Sequence, residues 1–226
     1  MKIDVTGKTA LLLNADGAVG TAIGDALAAN GATVVRATAG SGRASGDMPL
    51  DLAAGKADAS VADFVGRFGA PYLLIAVSRG VDTGPAAEPG ESGAVDEVEI
   101  FAAAAKAFGG HVRRIVNVFS ATGIVPVRRD GLLSARQASL ASLTRALAME
   151  LGGDGIQVNG LAVGAYEAGG QTVAPGFLSH TAIKRPATLG EIAAAALFLS
   201  DPANTYTTGH ILTVDGGWSA GYARNF

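Results

Sequence analysis

Ser120 ends an apolar run, Arg114-Ile115-Val116-Asn117-Val118-Phe119, and is followed by Ala121-Thr122-Gly123. A hydroxyl so placed can orient a carbonyl, or attack one if a base activates it. No base stands in register with it, so on its own Ser120 reads as a structural hydroxyl. The other side chains with chemistry to offer are Tyr166 and Glu167, His180 and Arg79. Tyr166 reads as an aromatic packed across a short segment. His111 reads as a surface residue and His210 as a satisfied structural histidine. No spacing of histidines and carboxylates marks a metal site.

The elements that must position these residues follow from hydrophobic pattern. Thr9-Ala10-Leu11-Leu12-Leu13 is a run fit for a strand buried on both faces. A turn, Asn14-Ala15-Asp16-Gly17, leads to helically spaced Val19, Ile23, Ala26 and Leu27, which Asn30-Gly31 terminates. Ala32-Thr33-Val34-Val35 is a second strand, and strand–helix–strand implies parallel strands with a right-handed crossover. Strands are expected again at 72–77, 114–119, 157–163 and 211–214. Helices are expected at 61–65, 96–108, 134–151 and 191–199, and a Gly/Pro-rich loop at 80–93. The alternation predicts an α/β chain: a doubly wound, seven-stranded parallel sheet in three αβα layers, one domain over residues 1–226.

Composition narrows the function classes. The chain has 226 residues, 49% apolar and 16% charged, which suits helices packed on a buried sheet. Net charge is −3 and no Lys/Arg run exceeds a pair, so nucleic acid is not an expected partner. Cysteine is absent, excluding thiol chemistry and Cys-ligated metal. No apolar run approaches membrane-spanning length, and the first strand begins too early to leave room for a signal peptide. The expectation is a soluble, cytoplasmic protein with no membrane partner.

Ser120, the helix Leu143-Thr144-Arg145-Ala146-Leu147, the strand Gly155-Ile156-Gln157-Val158-Asn159 and the tail Val214-Asp215-Gly216-Gly217 together resemble the short-chain dehydrogenase/reductase family. The resemblance covers nearly the whole chain and implies a Rossmann-like fold. The family carries Thr-Gly-x-x-x-Gly-x-Gly after its first strand, where this chain reads Leu13-Asn14-Ala15-Asp16-Gly17-Ala18-Val19-Gly20. Gly20 alone keeps its place. Asn14 can adopt the left-handed turn, but Ala18 adds a methyl where backbone approaches pyrophosphate, and Asp16 adds a carboxylate there. On this resemblance the cofactor contacts would be Asn14, Gly17, Gly20 and Asp51, with Arg43 a candidate for a 2′-phosphate. The ribose-binding acid is replaced near Thr38. No cofactor is expected, or NADP if any.

At the active-site end the resemblance implies Ser, Tyr and Lys acting together. Ser120 is present, but Leu133 stands in the place of Tyr and Gln137 in that of Lys. Leucine exchanges no proton and glutamine supplies no charge; losing a general acid–base costs about 10²–10⁴-fold. The segment from Gly164 to Arg185 is also shorter than the family's substrate lid. These changes lead to the expectation of a member without redox catalysis: a pseudoenzyme or structural subunit in a homo- or hetero-oligomeric assembly of such chains. The tail residues Trp218, Tyr222 and Phe226 are candidate interface anchors. Two alternatives stay open. One is a non-redox enzyme (lyase, cyclase or dehalogenase-like) using Ser120 with Tyr166 or His180; the other is an NADP-dependent oxidoreductase of residual activity.

Overall fold

Seven strands form one all-parallel sheet in the order β3-β2-β1-β4-β5-β6-β7 in a computed structural model. It describes every residue except 40–47, 54, 82–96, 129, 169–172, 174–177 and 222–226. The elements run β1 Thr9–Leu13, α1 Ala18–Ala29, β2 Thr33–Ala39, β3 Met48–Leu50, α2 Ala57–Phe68, β4 Pro71–Val77 and α3 Glu97–Phe108. They continue with β5 Arg114–Ser120, α4 Gly131–Leu151, β6 Gln157–Val163, α5 Leu189–Ser200 and β7 Ile211–Val214. The expected doubly wound architecture is what the chain adopts.

Successive strand residues serve opposite layers, because side chains alternate across a pleated sheet. Leu11, Leu13, Leu74, Ile115 and Phe119 pack beneath α2, α3 and α4 through Phe64, Phe101, Phe108 and Leu140. Their neighbours Ala10, Leu12, Leu73, Ile75 and Val116 face α1 and α5 through Val19, Ile23, Leu27, Ile192 and Leu197. Both faces are therefore apolar, which explains why these strands read as continuous hydrophobic runs. On the α4 side, Phe64 and Phe108 meet edge-on with ring centroids 5.5 Å apart.

Three polar devices hold the elements that carry the site. Asn117 of β5 donates to Thr144 Oγ1 on α4 at 3.0 Å, fixing how that helix lies on the sheet. Asn159 of β6 donates to the Thr207 carbonyl at 2.8 Å and accepts the His210 N–H at 3.1 Å, which aims the chain into β7. Thr188 and Glu191 form a reciprocal capping box on α5, satisfying N–H groups that a helix end leaves unpaired. At the opposite edge of the sheet, Arg114 is only 4% exposed. It is satisfied by neutral acceptors: Tyr72 Oη at 3.0 Å, the Asn204 carbonyl at 2.7 Å, the Pro202 carbonyl at 3.1 Å, and Gln157. That arginine clamps the loop after α5 and faces away from the site.

Two expectations about histidines separate here. His111 is exposed as expected. His210, read as a structural histidine, is exposed too; its backbone N–H, held by Asn159, is the structural part.

Candidate functional site

Sheet order reverses between β1 and β4, and the C-terminal ends of these strands open a crevice at that switch point. Parallel pairing brings Asn14, Ser78 and Ser120 to this same edge, since each directly follows or ends its strand.

Ser120 does not stand alone there. Its Oγ accepts from the Thr122 N–H at 3.3 Å and from Thr122 Oγ1 at 3.1 Å, which leaves its own proton to offer. Its backbone N–H donates to Gln137 Oε1 at 2.8 Å. Gln137 is 1% exposed and donates through Nε2 to Ser78 Oγ at 3.0 Å. Ser78 in turn donates to Glu97 Oε2 at 2.5 Å, while Glu97 Oε1 accepts the Arg79 N–H at 2.8 Å. The carboxamide at the family's lysine position thus ties the end of β5 to the end of β4. Leu133 packs over the Gly80 turn: a side chain added at Gly80 would run into Gln137 and come 3.1 Å from Leu133 Cδ1.

Ser78, Glu97 and Thr122 are members of this network that the sequence reading passed over. The available signal was weak: an acid in the first turn of a helix and a hydroxyl just after a strand.

The other candidates scatter. Tyr166 is 9% exposed and belongs to the core on the α1–α5 face, bridging to Ala187. His180 is exposed. Ser120's hydrogen-bond partners among the described residues, Thr122 and Gln137, come instead from the turn after β5 and from α4. Arg43, Tyr222 and Phe226 lie outside the described residues. Trp218 is described and packs against the α2–α4 side of the core.

The phosphate turn can be tested directly against the nucleotide that the family implies. Asn14 has φ 55°, the left-handed backbone its place requires. Gly17 is the N-cap of α1 and supplies no side-chain cap, so the first turn of a twelve-residue helix faces the crevice with its dipole. A Cβ on Gly20 would lie 2.5 Å from Ala15 Cα, so only glycine lets α1 seat this closely on the turn. Asp16 is exposed to water. Beyond the end of β2, a cleft of about 1120 Å³ is lined by Thr38, Leu50, Asp51, Leu52, Ile100 and Lys106. Asp51 is held by Lys56 Nζ at 3.0 Å and by the Ala53 N–H at 3.2 Å. The hydrogen bond from Lys56, then that from Ala53, lowers its pKa below the ordinary carboxylate value. The adenosine-phosphate half of a dinucleotide fits these residues.

A family model described as enoyl-(acyl carrier protein) reductase matches residues 98–219, more than half of the chain. Galactitol 2-dehydrogenase (L-tagatose-forming) of Cereibacter sphaeroides is 43% identical over 116 residues, which are 46% of this chain and 45% of that protein. The match therefore spans under half of that relative. The (2S)-[(R)-hydroxy(phenyl)methyl]succinyl-CoA dehydrogenase subunit BbsC of Thauera aromatica is 29% identical over the full length of both chains. Among solved structures, a gluconate 5-dehydrogenase of Burkholderia cenocepacia in complex with NADP and tartrate superposes with a TM-score of 0.78. It is 22% identical, with 96% of this chain and 97% of that one covered.

These matches correct the expectation of a pseudoenzyme or purely structural subunit: the relatives are named dehydrogenases, and nothing in them marks catalytic loss. The error was to equate two replaced side chains with a lost reaction, although in this family hydride comes from a nucleotide and the turn keeps Asn14's left-handed backbone and the close approach at Gly20. The expectation of no cofactor likewise finds no support. Among the described residues no helix is long and apolar enough to cross a membrane. Sheet order, the crevice at its switch point and the matched 98–219 segment agree: the chain belongs to the short-chain dehydrogenase/reductase family.

Proposed function

We propose that this chain is an NADP(H)-dependent oxidoreductase acting on a hydroxyl or carbonyl group, folded as one domain and working within an oligomer of chains of this family. The observation that carries it is the joint placement, on one sheet edge, of the left-handed Asn14 turn and a Ser120 hydroxyl with its proton uncommitted. The names of the relatives support the reaction class, and BbsC's description as a subunit supports the oligomer.

Each residue then has a defined task. Gly17 and the first turn of α1 receive the pyrophosphate, and Gly20 allows that helix to approach. When bound there, NADP(H) would supply or accept the hydride. Ser120 donates its hydroxyl proton in a hydrogen bond to the substrate oxygen, and Thr122 and Gln137 hold Ser120 in place. Leu133 exchanges no proton, so water entering the crevice serves as the acid or base, at the lower rate that an unpositioned donor brings.

The test is fluorescence titration with NADPH, followed by nicotinamide absorbance against a panel of ketones and acyl thioesters. Binding below millimolar with turnover that Ser120→Ala abolishes is the expected result. No binding at millimolar NADPH, or binding without turnover on any carbonyl class, would overturn the reading.

A further inference from the structure

Asn14 is the one non-glycine residue with a left-handed backbone among the described residues, and its side chain is 4% exposed. Its Oδ1 accepts the Ala39 N–H at 3.2 Å, across from β1 to the end of β2. That bond decides which arm of the carboxamide is nitrogen, since turning the group over would set two donors against each other. The remaining arm, Nδ2, is buried and has no partner among the described residues. A buried donor left unmade costs more than an ordinary hydrogen bond returns, so such an atom in a native fold calls for an acceptor.

The surroundings say what kind of acceptor. Nδ2 sits where the ends of β1 and β2 meet, beside the uncapped first turn of α1. In doubly wound folds the adenosine ribose lies there, and an acid at the end of the second strand takes its two hydroxyls. Here Thr38 and Ala39 end β2, so among the described residues no carboxylate stands at that strand end to accept from a diol. The acid lining the neighbouring cleft, Asp51, is engaged by Lys56 and Ala53. A hydroxyl also accepts, but an anionic oxygen makes the shorter and stronger bond to such a donor.

Resting on the nucleotide reading given above, we infer that Asn14 is a specificity-determining residue that selects 2′-phosphorylated nucleotides, its Nδ2 donating to the 2′-phosphate of NADP(H). The role belongs to the side chain, and is separate from the backbone turn that Asn14 provides.

Aspartate is the informative substitution. Asn14→Asp keeps an oxygen for the Ala39 N–H but replaces the donor with a charged acceptor, which repels phosphate and accepts from a diol. Asn14→Gly removes the side chain while keeping the left-handed turn. Calorimetry with 2′,5′-ADP, ADP and 5′-AMP separates the 2′-phosphate from the pyrophosphate as the group recognised, with NADPH and NADH as full-length probes. The wild-type chain should bind 2′,5′-ADP about tenfold or more tightly than 5′-AMP, which lacks only the 2′-phosphate, the scale of a charge-assisted bond. Asn14→Asp should abolish that margin and favour NADH, and Asn14→Gly should abolish it without reversal. An Asp or Gly variant that keeps the wild-type margin overturns the inference, as does a wild-type chain that binds 2′,5′-ADP and 5′-AMP equally. Equal binding leaves the oxidoreductase reading standing, whereas failure of every probe to bind the wild-type chain ends both. Should the Asp variant not fold, the Gly variant carries the test alone.

Discussion

Gln137 accepts the backbone N–H of Ser120 at 2.8 Å, across seventeen residues of sequence, from a side chain that is 1% exposed. A lysine at this position could not make that bond, because an ammonium group has donors only. The substitution therefore exchanges a charge for a tether. Through Nε2 the same carboxamide reaches Ser78, so one side chain sets the spacing between two strand ends that border the crevice.

Replacing Gln137 with methionine keeps the volume and removes both polar contacts. Ser78 retains Glu97 and the Gly80 N–H, but the Ser120 N–H loses its acceptor. Stability should fall by about 1–3 kcal/mol, the cost of leaving such a donor unpaired. Urea denaturation of Gln137→Met beside the wild-type chain measures this, and an unchanged midpoint would show the tether to be energetically idle.

Installing the family's pair should accelerate the proposed reaction. In Leu133→Tyr/Gln137→Lys, a phenol and an ammonium replace an apolar group and a neutral amide where a proton must be delivered. If water is the proton source in the wild-type chain, NADPH-dependent carbonyl reduction should rise about 10²-fold or more. Gln137→Lys alone should not accelerate it, since the ammonium has no phenol to act on. Steady-state rates on one ketone settle the matter, and a double variant no faster than wild type removes proton delivery as the slow step.

Legibility followed the range of the interaction. Strands such as Leu11 to Leu13 could be read from sequence because burial on both faces leaves an unbroken apolar run. Asn14's left-handed turn was also legible, since few non-glycine residues tolerate it. The edge strand Met48–Leu50 was not: three residues that include Pro49 have no periodicity, and their pairing with Ala37 to Ala39 is a tertiary choice. The Ser120–Gln137–Ser78–Glu97 chain was hidden for the same reason, because a glutamine's partner depends on which strand end the fold brings to it. Reading Gln137 only as a missing lysine led to the mistaken expectation of lost function.

Glu191 ties the start of α5 to pH. Its pKa is lowered from 4.5 to about 2, chiefly by the hydrogen bond from Arg185, then by the Thr188 N–H. The Arg185 contact is two-pronged, at 2.6 and 2.9 Å. A carboxylate whose pKa is depressed on folding adds stability above its unfolded value and loses it as pH falls through the folded one. The difference in melting temperature between the wild-type chain and Glu191→Gln should therefore be constant above about pH 5 and shrink between 4.5 and about 2. The pair is exposed, so added salt should reduce the difference at neutral pH. A difference that grows on acidification would contradict the assignment.

Gly20 couples packing to the proposed nucleotide site. An added Cβ would stand 2.5 Å from Ala15 Cα and 2.7 Å from Ala15 C, and backbone cannot yield as a flexible side chain can. Gly20→Ala must therefore push the first turn of α1 away from the Asn14–Gly17 turn. Overpacking of this kind costs about 1–3 kcal/mol. The displaced turn also carries the N–H groups and dipole that would face phosphate, so NADPH affinity should fall beyond what the lost stability explains. Gly24 provides the comparison: a Cβ there meets the end of the Arg36 side chain at 2.7 Å, which can swing aside. Gly24→Ala should keep NADPH binding near wild type, and equal losses at both glycines would mean that the effect comes from helix packing in general.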